Sequence, residues 1–328
     1  MVGHRIYFEL RPFIPQPVRT AFRRRLARQL RNRVADIWPL LKGAEVAPKN
    51  WPGWPEKKQF ALVLTHDVEG AKGLQAVRPL AELEMELGLR SSFNFIPEGS
   101  YDVPESLRAW LVENGFEVGI HDLRHDGKLY LSRSRFNRRA RRINKYLRDW
   151  NASGFRSGFM LCNLDWLHQL DIEYDASTFD TDPFEPQPQG HQTIYPIWVP
   201  QPATSHLYRE TFSKNGGFVE LPYTLPQDFT LFLLLQEKSI AVWKTKFDWI
   251  ASYGGMVLMN THPDYMAFGR NGSKMEFPAS HYRELLEYGT SKYRGRYWAA
   301  LPREVASWGL QHRNGLASPE RCKFSRTL

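Results

Sequence analysis

The sequence predicts an α/β protein in which parallel strands alternate with helices, preceded by a basic helical extension. Two observations lead there. Short apolar runs recur along the chain with amphipathic segments between them, and strands separated by helices pair in parallel. The charge is segregated: residues 1–50 hold eleven Lys or Arg against three acids, so they carry +8 of the chain's +9. With 328 residues, 42% hydrophobic and 24% charged, and a mean hydropathy of −0.49, the chain falls in the ordinary globular class, which excludes disorder for most of its length. The near-neutral remainder disfavours a uniformly basic nucleic-acid binder, and no nucleic-acid partner is expected. The expected order is a basic amphipathic helical extension over residues 1–50, a Trp/Pro/Gly linker over 51–59, a body over 60–310 and a tail over 311–328.

Between Pro17 and Pro39, apolar residues fall at Val18, Phe22, Leu26, Leu30, Val34 and Ile37/Trp38, a spacing of three to four that makes one stripe of a helix. Arginines occupy the opposite face. Pro17 suits the first turn and Pro39 stops the helix. Such a helix packs its stripe on the body, or lies through residues 17–38 on an anionic membrane, or is an organelle presequence. Pro48 to Pro55, with Trp51 and Trp54, reads as the linker. The strand candidates that follow are Phe60 to Leu64, Ser92 to Phe95, Phe116 to Ile120, Gly154–Phe155, Ile172 to Tyr174, Phe218 to Leu221 and Gly255 to Met259. Helices are expected over Leu74–Leu87, stopped by Gly88, over Glu105–Glu113, stopped by Asn114-Gly115, and over Phe136–Trp150. Asp180 to Gly217, rich in proline and glutamine, reads as an inserted loop near an active face. Cys162 and Cys322 form no CxxC spacing, so neither a disulfide scaffold nor a zinc finger fits. The N-terminal segment has no apolar block of signal-peptide length, and the longest apolar run, Leu231–Leu235, is far short of a membrane span. A cytoplasmic protein is expected, peripheral to the inner face of the membrane if the helix binds lipid.

Polar residues cluster where the apolar runs end. Phe60–Leu64 leads into Thr65-His66-Asp67-Val68-Glu69, Phe116–Ile120 into His121-Asp122-Leu123-Arg124-His125, Gly154–Phe155 into Arg156, and Gly255–Met259 into Asn260-Thr261-His262. In parallel α/β folds the C-terminal strand ends share one face, so these groups are expected to converge. His121 and His125, four apart, can reach one ion if the segment turns helically, with a carboxylate as third ligand; that donor set suits zinc or another borderline divalent metal. Asp67 and Glu69, two apart on an extended strand end, point to the same side, so one can bind metal while the other serves as a base. Arg156 can orient that base through a bidentate pair, and His262 can donate a proton. Plainer roles compete: a surface HxxxH pair, turn acids at a strand exit, a surface salt bridge, a buried histidine. His66 reads as structural. Neither a GxSxG sequence nor a base beside Cys162 supports a serine or cysteine nucleophile.

This order of motifs resembles the polysaccharide deacetylase family, carbohydrate esterase family four, from Phe60 to the Tyr265 region. Thr65, Asp67 and Glu69 match its Thr-x-Asp-Asp type motif, His121 and His125 its His-x-x-x-His motif, Arg156 its Arg-x-Pro motif and His262 its final strand-end histidine. His125-Asp-Gly-Lys128 and Glu220-Leu-Pro-Tyr-Thr224 are similar to a bacterial subgroup. The resemblance implies a distorted (β/α) barrel of about seven strands over residues 60–310. It implies a divalent metal, zinc, held by Glu69, His121 and His125, with a metal-bound water attacking an N- or O-acetyl carbonyl of a sugar. Asp67 is then the base, Arg156 its orienting partner and His262 the acid. Three departures stand out. The ligand Glu69 is two residues from the base, Gly158 replaces the usual proline, and the fourth motif has only Asp175, Asp180 and Asp182 as candidates. The expected partner is an acetylated glycan or a lipid-linked sugar. The rivals are another non-peptide amide hydrolase on this fold and a non-catalytic membrane- or polyanion-binding protein on a degenerate scaffold. The second is motivated by the extension and by eight Lys or Arg between Arg133 and Asp149.

Overall fold

The computed structural model describes residues 16–202, 215–269 and 273–319, with side chains from Thr20 onward. Residues 1–15, the side chain of Val18, the middle of the predicted Asp180–Gly217 loop and the end of the tail with Cys322 lie outside the described residues.

One nine-stranded sheet forms the body. Its strands are β1 (Phe60–Val68), β2 (Ser92–Phe95), β3 (Glu117–His121), β4 (Gly154–Arg156), β5 (Tyr174–Asp175), β6 (Ile197–Pro200), β7 (Gly217–Glu220), β8 (Met256–Thr261) and β11 (Tyr297–Ala299). β9 (Met266–Ala267) and β10 (Phe277–Pro278) pair separately. One edge of β1 carries β8, and the other carries first β11 and then β2. From β2 the order runs β3, β4, β5, β7, β6, every pairing parallel except that of β6 with β7. Beyond β7, the Thr224 and Leu225 amides donate to the Leu258 carbonyl of β8 at 3.0 and 3.1 Å, so the sheet curls into a distorted barrel. Seven parallel strands are those expected, and β6 and β11 add to them. All nine residues of β1 are buried, because a central parallel strand is covered on both faces.

The helices are α1 (Gln16–Arg33), α2 (Ala71–Glu86), α3 (Glu105–Glu113), α4 (Arg133–Asp149), α5 (Leu164–Leu167), α6 (Ala241–Tyr253), α7 (Ala279–Lys292) and α8 (Pro302–Gln311). Gly88 and Gly115 follow α2 and α3 with φ of 70° and 83°, conformations that cost glycine little. α4 starts three residues before the apolar stripe because the Ser132 side chain accepts from the Arg135 amide at 3.2 Å and caps it. Its Phe136, Ala140, Ile143 and Leu147 are buried.

From Thr20 onward the extension docks on the body. Ala27, Val34 and Trp38 are buried, but Phe22 is 64% and Leu26 48% exposed, so the lower half of the predicted stripe packs and the upper half does not. The cause is polar. α1 lies against a π-helical turn, Phe229–Leu234. There Arg24 Nε donates to the Leu233 carbonyl at 2.7 Å, while Arg28 bonds Gln236 and Arg31 pairs with Glu237, satisfying groups at the turn's C-terminal end. Residues after α1 are pinned to the start of the inserted segment: the Ile194 amide donates to the Ala44 carbonyl at 3.0 Å and the Thr181 hydroxyl to that of Ile37 at 3.1 Å. The stretch read as a linker also packs. Trp54 is buried against Trp51, Trp298 and Trp308, with centroids 4.9, 5.9 and 5.0 Å away. Among the described residues, no helix is long and apolar enough to cross a membrane.

Candidate active site

The C-terminal ends of β1, β3, β4 and β8 open on one face, and register fixes their neighbours: Asp67 stands beside Asn94, His121 beside Arg156 and Thr65 beside Asn260. Asp67, Glu69, His121, His125 and His262 all line one pocket.

Asp67 is buried and saturated with donors. Asn94 Nδ2 reaches its Oδ1 at 2.9 Å, Asn260 Nδ2 its Oδ2 at 3.0 Å, and Arg156 Nη1 its Oδ1 at 3.3 Å. Burial raises its pKa, but Arg156, His121 and His262 outweigh burial and hold the carboxyl far below the usual range. Arg156 does not form the expected bidentate pair. Its Nη1 also donates to Asn260 Oδ1 at 2.6 Å and to the Thr65 hydroxyl at 2.8 Å, and its Nε to the Ala176 carbonyl at 2.7 Å. It works as a fully buried clamp under the site, tying together the ends of β1, β4 and β8.

Glu69 Oε1 lies 3.1 Å from His125 Nε2, and Oε2 accepts from the Tyr265 hydroxyl at 3.0 Å. Burial raises the pKa of Glu69, and the charge and hydrogen bond of His125 more than reverse this, so it is ionised. His121 closes β3 with Nδ1 at 3.2 Å from the Arg156 carbonyl. Its Nε2 is buried without a hydrogen-bond partner among the described residues. Burial drives the His121 pKa down to about 4. A neutral imidazole whose Nδ1 donates to a carbonyl keeps its Nε2 lone pair for an ion. Ligand atoms of Glu69, His121 and His125 lie within 4.8 Å of one another, so an orphaned acceptor, a second imidazole and a carboxylate fit a divalent cation. The His121–His125 segment is not helical: Asp122 and His125 take φ of 55° and 49°, and a looped chain returns His125 to the ion site. Phe159 stacks on His125 at 4.3 Å. A Cβ at Gly158 would stand 2.7 Å from His125 Cδ2 and 2.9 Å from Asp122 Oδ2, so this chain accommodates no side chain at that departure.

His262, after β8, is held twice by Asp228, which accepts from its amide at 2.8 Å and lies 2.7 Å from its Nδ1. Burial lowers the His262 pKa, but Asp228, then Glu69 and Asp67, push it up to about 10, so it is an imidazolium at neutral pH.

Asp228 carries no motif in the sequence reading, and the three candidates for the missing motif lie elsewhere. Asp180 pairs with buried Lys246 at 2.5 Å, Asp182 accepts from the Tyr223 hydroxyl at 2.8 Å, and Asp175 accepts from the Ser177 hydroxyl at 2.7 Å. Asn94, Tyr265 and Asp264, which accepts from the Glu69 amide at 2.8 Å, were also missed. The only signal available for Asp264 and Tyr265 is their adjacency to His262 in His262-Pro-Asp-Tyr265. His66 lies in the core between Thr261 and Glu84, 2.7 and 2.8 Å away.

No protein-family model matches the sequence, and no curated protein does. Among solved structures, 86% of this chain matches 98% of a Mycobacterium smegmatis protein provisionally assigned as a polysaccharide deacetylase, with a TM-score of 0.62 and 17% identity. Weaker likenesses are the peptidoglycan deacetylase PdaC from Bacillus subtilis (TM-score 0.42, 12% identity, 78% of this chain and 93% of that one) and a family 4 carbohydrate esterase from Streptomyces lividans in complex with acetate (0.40, 10%, 74% and 93%). The likeness read from the motifs therefore extends to the architecture: this chain has the polysaccharide deacetylase fold.

Proposed function

We propose that this protein is a metal-dependent hydrolase that removes N- or O-linked acetyl groups from a sugar or polysaccharide precursor. The observation that supports it is the convergence, in one pocket, of the Glu69, His121 and His125 donor set with an ionised Asp67 and a protonated His262. A bound divalent ion, zinc by the character of its donors, would polarise the acetyl carbonyl and bring the pKa of its water towards ~7. Asp67 accepts a proton from the attacking water. A carboxylate with this many donors is a weak base, so its partner must be a water already made acidic. His262 protonates the leaving amine or alcohol, and Asp228 keeps it charged and aimed. Tyr265 and Asp264 fix Glu69 through its carboxylate and its amide. Arg156 and Asn260 keep Asp67 in place.

Metal analysis of purified protein combined with acetate release from a panel of acetylated sugars tests this reading. One equivalent of divalent ion and chelator-sensitive acetate release are expected. Protein that retains no metal under any condition and releases no acetate overturns it.

We further propose that α1 brings the enzyme to anionic membrane at the cytoplasmic face, where a lipid-linked glycan is available. Exposed Phe22 and Leu26 on an arginine-rich helix support this. In co-sedimentation with anionic vesicles, the Phe22→Ser/Leu26→Ser variant is expected to bind several-fold less than wild type; equal binding refutes the idea.

A further inference from the structure

One cationic residue of the pocket has no part in the chemistry above, and it comes from outside the barrel. Arg23 of α1 lines the same pocket as Glu69, His121 and His125. Its guanidinium carbon lies 4.7 Å from the centre of the Phe229 ring; that ring is 5.3 Å from Tyr265, the residue that bonds Glu69. Three other arginines of α1 are engaged with the body: Arg24 with the Leu233 carbonyl, Arg28 with Gln236 and Arg31 with Glu237. Arg23 is exposed, and among the described residues it forms no ion pair. Glu185, a pocket-lining acid that feels the Arg23 charge, forms no ion pair with it among the described residues, and burial, then Asp182, pushes its carboxyl up. With its carbon over the Phe229 ring and no hydrogen bond to another described residue, the guanidinium can offer its N–H groups to an anionic oxygen group in a fork.

We infer that Arg23 selects substrates whose acetylated sugar carries an anionic oxygen group, and that α1 is thereby a specificity element of the active site. This rests on the deacetylase reading. The group is a phosphoryl, as on an activated or carrier-linked sugar, or a carboxylate, as on an acidic sugar; both offer paired oxygens to one guanidinium. α1 thus contributes from the extension a second pocket cation beside His262, one that neither holds the metal nor donates the proton.

The experiment compares kcat/KM for acetate release from N-acetylglucosamine 1-phosphate, N-acetylmuramic acid and the neutral methyl glycoside of N-acetylglucosamine, using the zinc-loaded full chain. Wild type is expected to prefer an anionic sugar over the neutral one by about 10- to 100-fold, the range of a charge-assisted contact. Arg23→Ala should shrink that ratio at least tenfold, through KM, and Arg23→Lys should restore part of it. Preference for the phosphate alone or the carboxylate alone identifies the group. A wild type without anionic preference, or an Arg23→Ala variant that slows all three sugars in equal proportion, overturns the inference. Calorimetric titration with N-acetylglucosamine 1-phosphate separates this from the reaction itself. If no sugar is deacetylated but the phosphate binds wild type and not Arg23→Ala, the deacetylase reading fails and the anion site stands. If it binds both equally, the anion site fails.

Discussion

Asp67 and Glu69 are two residues apart and do opposite things with the same functional group. Asp67 has both oxygens occupied by Asn94, Asn260 and Arg156, whereas Glu69 shares one oxygen with Tyr265 and turns the other to His125. Asp67→Asn is expected to retain the metal and lose turnover by roughly 100- to 10,000-fold, while Glu69→Gln empties the site; metal content and acetate release of the two variants check this, and the reverse pattern exchanges the roles. In the proposed mechanism the alkaline pH dependence belongs to His262. Its pKa is raised, so the proton-donating form is present through neutrality and is lost as pH rises through about 10. Asp228→Asn removes the largest upward influence and leaves burial, which lowers the pKa, opposed only by Glu69 and Asp67. The alkaline limb of the kcat profile should therefore move to lower pH, and a limb that stays in place excludes His262 as the donor. Of these residues, the sequence made legible those at the ends of apolar runs, because a strand end forces its polar neighbours onto a shared face. Asp228 was not legible, since it meets His262 across 34 residues from a loop that no periodicity marks. Asn94 was hidden for a different reason: inside Ser92-Phe-Asn-Phe95 it looks like an ordinary alternating strand position.

At the scale of elements, the strand and helix order was readable from the alternation of runs, and the α1 stripe was readable only in part. Period predicts which residues share a face, but it does not tell how far the helix rolls once arginines find carbonyl and carboxylate partners. Phe22 and Leu26 stay outside because Arg24, Arg28 and Arg31 set the docking angle. Charge-assisted contacts of this kind each contribute about 1 to 3 kcal/mol where they are shielded and less where they are exposed. The Arg24→Ala/Arg31→Ala variant is thus expected to free α1 without unfolding the barrel, and limited proteolysis should cut it after residues 23–33 faster than wild type. Unchanged cleavage would mean that Ala27, Val34 and Trp38 hold the helix alone.

For the whole molecule, the charge distribution is the property that the sequence shows most directly and that no single contact explains. Residues 1–50 carry +8, the remaining 278 residues carry +1, and Arg23 from that basic segment lines the pocket. Each cation near an anionic surface contributes roughly 1 kcal/mol, and the attraction decays over a Debye length of about 10 Å at 0.1 M salt. Binding to anionic vesicles should accordingly fall steeply with ionic strength, while acetate release from a soluble neutral sugar should not. If both decline together, salt is acting on the active site and not on attachment.

The π-helical turn Phe229–Leu234 joins these scales. Asp228 caps its start and holds His262, Phe229 carries Arg23, and Leu233 near its end receives Arg24. A π turn closes one residue later than an α turn, so Asp228 and Leu233 stand at opposite ends of a single winding, one holding His262 and the other receiving Arg24. The turn therefore acts as a yoke: a change that unwinds it is felt at the imidazole and at the docked extension together.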